Sequence, residues 1–323
     1  MSSVIEKDRL PFRRIFMRVS QGVWKRIPAS LKNTRPLRRY GAFLHSLVKQ
    51  SSVRGQLHGT FFLRNRAQLE LIREIANKSE KGATLRLGVV ACSNGAEVYS
   101  VAWTVRSARS DLNLVIHAVD MSQDIVAIAK NGAYPLETQA LIGAPIFERL
   151  SPKEFEEIFD RGQETINVRP WLKDGIQWHV GDAADPGIAK RLGPLDIVIA
   201  NNFLCHMDPP NAEQCLRRVA RLVRPGGYLF VSGVDLDVRA KVALELHWRP
   251  VTNLLEEIHD GDPSVRNDWP WRYWGLEPLD RQMPNWTIRY ASVFQLAPSA
   301  RTDVLHSESM HSAAVAAPSS VSI

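Results

Sequence analysis

Across residues 84–233, short runs of aliphatic and β-branched residues alternate with stretches of helical periodicity. Near-continuous apolar runs of that length suit strands buried on both faces, so the pattern predicts an α/β fold, a parallel sheet with helices on both faces. The runs are 85–91, 114–119, 176–180, 196–200 and 228–232. Residues 95–108 read as a helix after the first run, and 125–130 begin another after the second. The clearest helix is 209–223: Asp208 stands at its N-cap, prolines fill its first turn, and Leu216, Val219 and Val223 share a face. Pro225-Gly226-Gly227 ends it as a turn re-entering the sheet. Alternation of Ile288, Tyr290, Ser292, Phe294 and Leu296 predicts a last strand over 287–296.

Two stretches break the alternation and read as insertions. Residues 135–172 are charged and helical in pattern, and 248–286 carry Trp248, Trp269, Trp271, Trp274 and Trp286 in a Pro- and Asp-rich setting. These tryptophans either wall an acceptor pocket or simply pack. The predicted organisation is a basic N-terminal arm or helical extension over 1–58, a ligand-binding α/β domain over 59–298 containing both insertions, and a Ser- and Ala-rich disordered tail over 299–323.

Charge alters this picture at one place. The chain carries a net +7, yet residues 1–40 hold 11 Lys or Arg against Glu6 and Asp8, leaving 30 basic and 32 acidic residues elsewhere. The basic character belongs to the arm. Its Leu10, Phe12, Ile15, Phe16, Val19 and Trp24 suit one face of a basic helix, so residues 7–39 offer docking to a membrane surface or an acidic partner. The alternative is a solvated leader resting on its own domain. The Arg-rich, acid-poor start also has the character of an organellar transit peptide. Cys92, Cys205 and Cys215 show no metal or redox spacing, which implies a reducing, cytoplasmic setting and no metal.

In an open parallel sheet the ligand crevice lies at the carboxyl ends of the strands. The first strand enters a loop of small residues ending at Gly95, where backbone can approach a ligand closely. The dinucleotide fingerprint G-x-G-x-x-G is absent. The second strand ends at Asp120, followed by Met121; a carboxylate there can accept from both hydroxyls of a ribose, or can serve a turn or helix cap. The third ends at Asp182, suited to accept from an adenine exocyclic amine, with Ala183 offering a backbone donor nearby; the alternative is capping of the next helix. The fourth runs into Asn201, Asn202 and His206, the last either a general base or a plain hydrogen-bonding residue.

These stretches together carry a resemblance. Thr60-Phe61-Phe62-Leu63-Arg64-Asn65, the run from Ala91 to Ser100 with Gly95, Glu97, Tyr99 and Ser100, Asp120-Met121-Ser122, the run from Asn201 to Asp208, and Pro225-Gly226-Gly227 are similar to the CheR-type, chemotaxis-receptor methyltransferases over residues 58–235. The resemblance implies a Rossmann-like class I methyltransferase sheet, mostly parallel with an antiparallel last strand. It implies S-adenosyl-L-methionine as cofactor, held by Thr60, Arg64, Gly95, Glu97, Asp120 and Met121, with Asp182, Ala183 and Asn202 lining the same site. It also implies methyl transfer to a protein carboxylate or a small molecule; the catalytic candidates are Arg64, whose guanidinium can clamp the cofactor carboxylate or an acidic acceptor, and His206, from its place after the fourth strand. Three positions depart from the family: Asn201 replaces an arginine, His206 a tyrosine, and Ala96 an acidic residue. A second expectation is a non-catalytic cofactor-binding signalling module recruited through the arm. A third, nucleic-acid methylation, lacks an Asn-Pro-Pro-Tyr type motif or a stacking platform.

Overall fold

The computed structural model of the chain describes residues 5–51, 59–139, 143–262, 269–272 and 276–297, with side chains from residue 15. Strands β1 (Thr84–Val90), β2 (Asn113–Asp120), β6 (Ile176–Val180), β7 (Leu195–Ile199), β8 (Val223–Phe230), β9 (Arg249–Pro250) and β10 (Val293–Gln295) form one sheet in the order β6-β2-β1-β7-β8-β10-β9. Strands β1, β2, β6, β7 and β8 pair parallel, and β10 runs antiparallel to both neighbours. The remaining strands, β3 (Ala133–Pro135), β4 (Phe159–Arg161) and β5 (Thr165–Val168), form a small antiparallel sheet.

Side-chain alternation sorts each central strand onto two cores. Leu85, Leu87 and Val89 of β1 and Ile197 and Ile199 of β7 join the helices Arg66–Asn77 and Ala96–Ala108 on one face. Val90, Leu195, Val198 and Leu229 join Pro186–Leu192, Pro209–Ala220 and Leu236–Glu245 on the other. The result is the expected three-layer arrangement, and its strand order reverses direction between β1 and β7, where open sheets of this kind form their crevice.

Four expectations need correction. Residues 135–172 are not mainly helical; beyond two short helices, Pro152–Ile158 and Pro170–Lys173, the segment builds β4 and β5. Within β5 the buried Ile166 and Val168 alternate with Thr165 and Asn167, and Phe159 pairs with Val168 across the strands; four residues among charged neighbours make too short a run for the period of two to be read. Residues 287–296 contain the Trp286–Tyr290 helix before β10. Only Ile288 and Tyr290 of the five alternating positions fall in that helix, too few to tell a turn of helix from a strand, and here Arg289 and Tyr290 are both held by Glu277, at 2.7 and 3.0 Å. The 209–223 helix stops at Ala220, and Pro225-Gly226-Gly227 forms a bulge inside β8. Asp208 caps that helix as expected, accepting from Asn211 N at 3.0 Å.

The arm is the fourth correction. It forms helices Ile5–Arg26 and Arg35–Ser51, but its apolar residues do not share one face. Trp24 turns inward against Trp269 and Tyr40, whereas Ile15 and Val19 point outward. The side chains of Leu10 and Phe12, residue Trp274 and the 299–323 tail lie outside the described residues.

Candidate functional site

The loop after β1 is held in an uncommon backbone. Ala91, Ser93 and Gly95 have φ of 54°, 49° and 88°, left-handed values that side chains other than glycine seldom adopt. Strain of that kind persists only where neighbours over-determine it. Cys92 N donates to Val119 O at 3.0 Å, Ser93 N to the Asp120 carboxylate at 2.9 Å, and Tyr134 Oη to Asn94 O at 2.7 Å. The loop is thereby fastened to β2 and to the small sheet, and small side chains at 91 and 93 leave its backbone open to the crevice.

Asp120, buried at the end of β2, accepts from Ser93 N on Oδ2 and from Ser122 N on Oδ1, at 2.9 and 3.1 Å. Each oxygen keeps a second lone pair, and the residue lines the crevice. Capping of the Gln123–Asn131 helix falls instead to Ser122, whose hydroxyl accepts from Ile125 N at 3.4 Å. The carboxylate of Asp182 forms a turn, accepting from Ala184 N at 2.8 Å, and Asp185 caps the next helix.

Thr60 and Arg64 reach the crevice from a segment anchored by Phe62. That ring is fully buried, with Phe159, Tyr134 and Phe147 at 4.8, 5.5 and 5.7 Å between centroids. The small sheet thus has a positioning task; removing such a ring from a core costs about 3–5 kcal/mol. Arg64 Nε donates to Asp262 Oδ2 at 2.5 Å, and Arg149 braces the pair through Asp262 Oδ1 at 3.2 Å and Arg64 O at 2.6 Å.

Asn201, buried at the end of β7, is a hub. Its Nδ2 donates to Glu97 at 2.7 Å and to Gln68 at 2.8 Å, and its Oδ1 accepts from Ser232 N and Oγ at 3.1 and 2.9 Å. Burial pushes the Glu97 carboxyl above its ordinary value, while the Asn201 hydrogen bond and the Arg64 charge pull it back. Burial, reinforced by Asp120 and Glu97 nearby, pushes the Cys92 thiol well up, so it stays protonated and unreactive. Asn202 follows at φ 58°, and Gly233 is required there because a Cβ would fall 2.5 Å from Asn202 Cα.

One crevice of about 1060 Å³, its open mouth included, gathers Thr60, Arg64, Glu97, Asp120, Met121, Asp182, Ala183, Asn202 and His206. Its walls add Gly59, Cys92, Ser93, Asn201, Phe203 and Met207. Of the expected residues only Gly95 stands outside it; its place is steric, with Ala129, Trp178 and Tyr99 at 3.1–3.2 Å from any Cβ added there. No described tryptophan lines the crevice: Trp248 packs on Phe294 and Trp269 on Trp24. Gln68, Arg149, Asp262 and Ser232 were not expected in supporting positions. They join the site across 133, 85, 198 and 31 residues of chain, separations that leave no local signal.

The family described as "CheR methyltransferase, SAM binding domain" matches residues 58–238, more than half of the chain. The chain belongs to this family. Among its relatives, a protein described as probable biofilm formation methyltransferase WspC of Pseudomonas putida is 27% identical over 56% of this chain and 41% of its own length. Chemotaxis protein methyltransferase 2 of Pseudomonas aeruginosa is 28% identical over 56% of this chain and 64% of its own. The chain therefore spans less than two thirds of either relative. An O-methyltransferase family protein from Burkholderia thailandensis aligns over 84% of this chain and 63% of its own, with 14% identity and a TM-score of 0.37. For a CheR-family chain, the family match covers the whole crevice, from Gly59 to Met207.

Proposed function

We propose that this chain binds S-adenosyl-L-methionine in the crevice and transfers its methyl group to an acceptor, a protein side chain or a small molecule, presented at the mouth. The observation that carries the reading is the Asp120 carboxylate, fixed by two backbone N–H groups with a lone pair free on each oxygen, beside a strained loop of small residues. That pair of acceptors fits the vicinal hydroxyls of a ribose, which donate to it. The rest of the crevice fits the other parts of the same compound. Asp182 and the Ala183 backbone suit an adenine edge, and Met121 and Val119 give apolar cover. Glu97 suits an ammonium, and the terminal nitrogens of Arg64 suit a carboxylate.

The bound compound supplies an activated methyl group on a sulfonium. The residues contribute placement. Asp262 and Arg149 hold the Arg64 guanidinium in one orientation, and Asn201 holds Glu97. Glu97, Asp120 and Asp182 together give the crevice more negative than positive charge, which favours a cationic ligand. His206, on a short 3-10 turn of residues Leu204–His206 that lines the crevice, is our candidate to accept a proton from a hydroxyl or amine acceptor; a carboxylate acceptor needs only alignment.

Incubation of the protein with S-adenosylmethionine labelled in the methyl group, together with a cell extract, tests this reading. Label should pass to an acceptor with the parent protein and not with Asp120→Ala. Binding without any transfer would favour the signalling-module reading instead.

A further inference from the structure

Residues 9–69 contain 14 Lys or Arg and not one Asp or Glu. The structure sorts these cations. Arg38 and Lys49 turn toward their own domain, Arg38 to Leu279 O at 2.9 Å and Asp280 at 3.9 Å, Lys49 to Asp235 and Asp237 at 3.5 and 3.6 Å. Arg18, Lys25, Arg26 and Arg39 are exposed, with no ion-pair partner among the described residues.

Over its described side chains, residues 15–26, the Ile5–Arg26 helix docks by one face. Trp24 is buried against Trp269 and Tyr40, and Ser20 accepts from Tyr40 Oη at 3.0 Å. Gly41 admits this packing, because a Cβ there would strike the Trp269 ring. Ile15, Val19 and Val23, four residues apart, form a second stripe about 100° round the helix, and they are 61%, 61% and 50% exposed. Phe43 of the Arg35–Ser51 helix, 51% exposed, joins this side through its edge contact with Phe16 at 6.5 Å. Aliphatic and aromatic side chains standing in water beside unpaired Arg and Lys are the pattern of a helix that lies in a membrane interface.

We propose that this outer face, Ile15, Val19, Val23 and Phe43 with Arg18, Lys25, Arg26 and Arg39, docks on an anionic lipid surface. The apolar stripe enters the boundary between headgroups and acyl chains, and the four cations meet the lipid phosphates. Charge argues against a second copy of the chain: with no carboxylate in residues 9–69, two such faces would oppose like charges. A nucleic acid would satisfy the cations but leave the apolar stripe in water. Docking here is peripheral, as no helix among the described residues is long and apolar enough to cross a membrane.

Sedimentation of the full chain with vesicles tests the proposal. One set is phosphatidylcholine alone, and the other carries about 30 mol % phosphatidylglycerol, enough to give the surface a negative potential. The protein should sediment with the anionic vesicles and not with the neutral ones, and binding should weaken at least about tenfold when salt rises from about 0.05 to 0.5 M. Val19→Asp/Val23→Asp should weaken it at least about tenfold with an unchanged unfolding midpoint, and Arg18→Glu/Arg26→Glu, which touches only exposed charges, should do the same. No binding to anionic vesicles, or binding by either double variant as strong as that of the parent chain, overturns the proposal. So does a variant that changes self-association or RNA binding while vesicle binding stays intact.

Discussion

Exchanging Glu97 for glutamine removes one property, the capacity for negative charge, and keeps length and shape. Asn201 Nδ2, 2.7 Å from the carboxylate oxygen, can still donate to the amide oxygen. Burial raises the Glu97 carboxyl above its ordinary value, so its ionised form is disfavoured in the folded protein. With the folded value above the unfolded one, the contribution of Glu97 to stability is best at low pH and declines as pH rises through the raised value. Glu97→Gln lacks that decline, and at pH 7 it should unfold at the same temperature as the parent or a higher one. Binding moves oppositely. A charged hydrogen bond to the ligand ammonium contributes about 1.5–3 kcal/mol, so affinity for S-adenosylhomocysteine should fall about 10- to 150-fold. In the parent that affinity should climb as pH passes upward through the raised value, while the variant stays flat. Calorimetric titration between pH 5 and 8, beside thermal unfolding, reads both effects. Equal affinity in a folded variant would show that Glu97 never touches the ligand and would refute the assignment of the ammonium end.

Asp120→Asn sets an amide N–H₂ against the N–H of Ser93 or Ser122 and weakens the bonds to the ribose hydroxyls; affinity for S-adenosylhomocysteine should drop about a hundredfold, and an unchanged value would count against the ribose site. Gly95→Ala adds a Cβ 3.1–3.2 Å from Ala129, Trp178 and Tyr99 at φ 88°, so denaturant unfolding should show a loss of about 1–3 kcal/mol; parental stability would mean the loop is not confined. His117 Nδ1 and His179 Nε2 lie 3.2 Å apart across β2 and β6, and burial lowers both imidazoles, His117 further through the charge of His179. Folded values below the unfolded one favour the neutral rings, so stability should fall as pH drops below about 6.5. His179→Gln, which removes one of the two cations, should lessen that fall in thermal unfolding, and an identical acid limb would place its cause elsewhere.

The pattern of apolar runs anticipated β1, β2 and β7 because they are largely aliphatic, and β6 because Ile176, Trp178 and Val180 alternate with polar residues; the small and acidic residues that close these strands landed together in the crevice. Where legibility failed, the missing information was long-range. The small sheet hides its period of two among charged neighbours, and Trp286–Tyr290 is too short for alternation to distinguish helix from strand. The Asn201 hub pairs with Gln68 over 133 residues, and Arg64 meets Asp262 over 198, so neither partner could be chosen from spacing. Gly95 was expected in the ligand site because small residues let backbone approach a ligand, yet its left-handed conformation sits against Trp178 and Tyr99, where a Cβ would fall 3.2 Å from each ring. Nor did the tryptophan-rich stretch wall the crevice; its described members fill gaps between the arm, the sheet edge and the last helix.

The central claim is that the ends of β1 and β2 form a site for an adenosyl amino acid. Calorimetric titration of the protein with S-adenosylmethionine and, separately, with S-adenosylhomocysteine addresses it without knowledge of the acceptor. Saturable binding of both at one site per chain, lost in Asp120→Ala, is the predicted result. No heat of binding from a folded protein, or binding indifferent to Asp120→Ala, would contradict it.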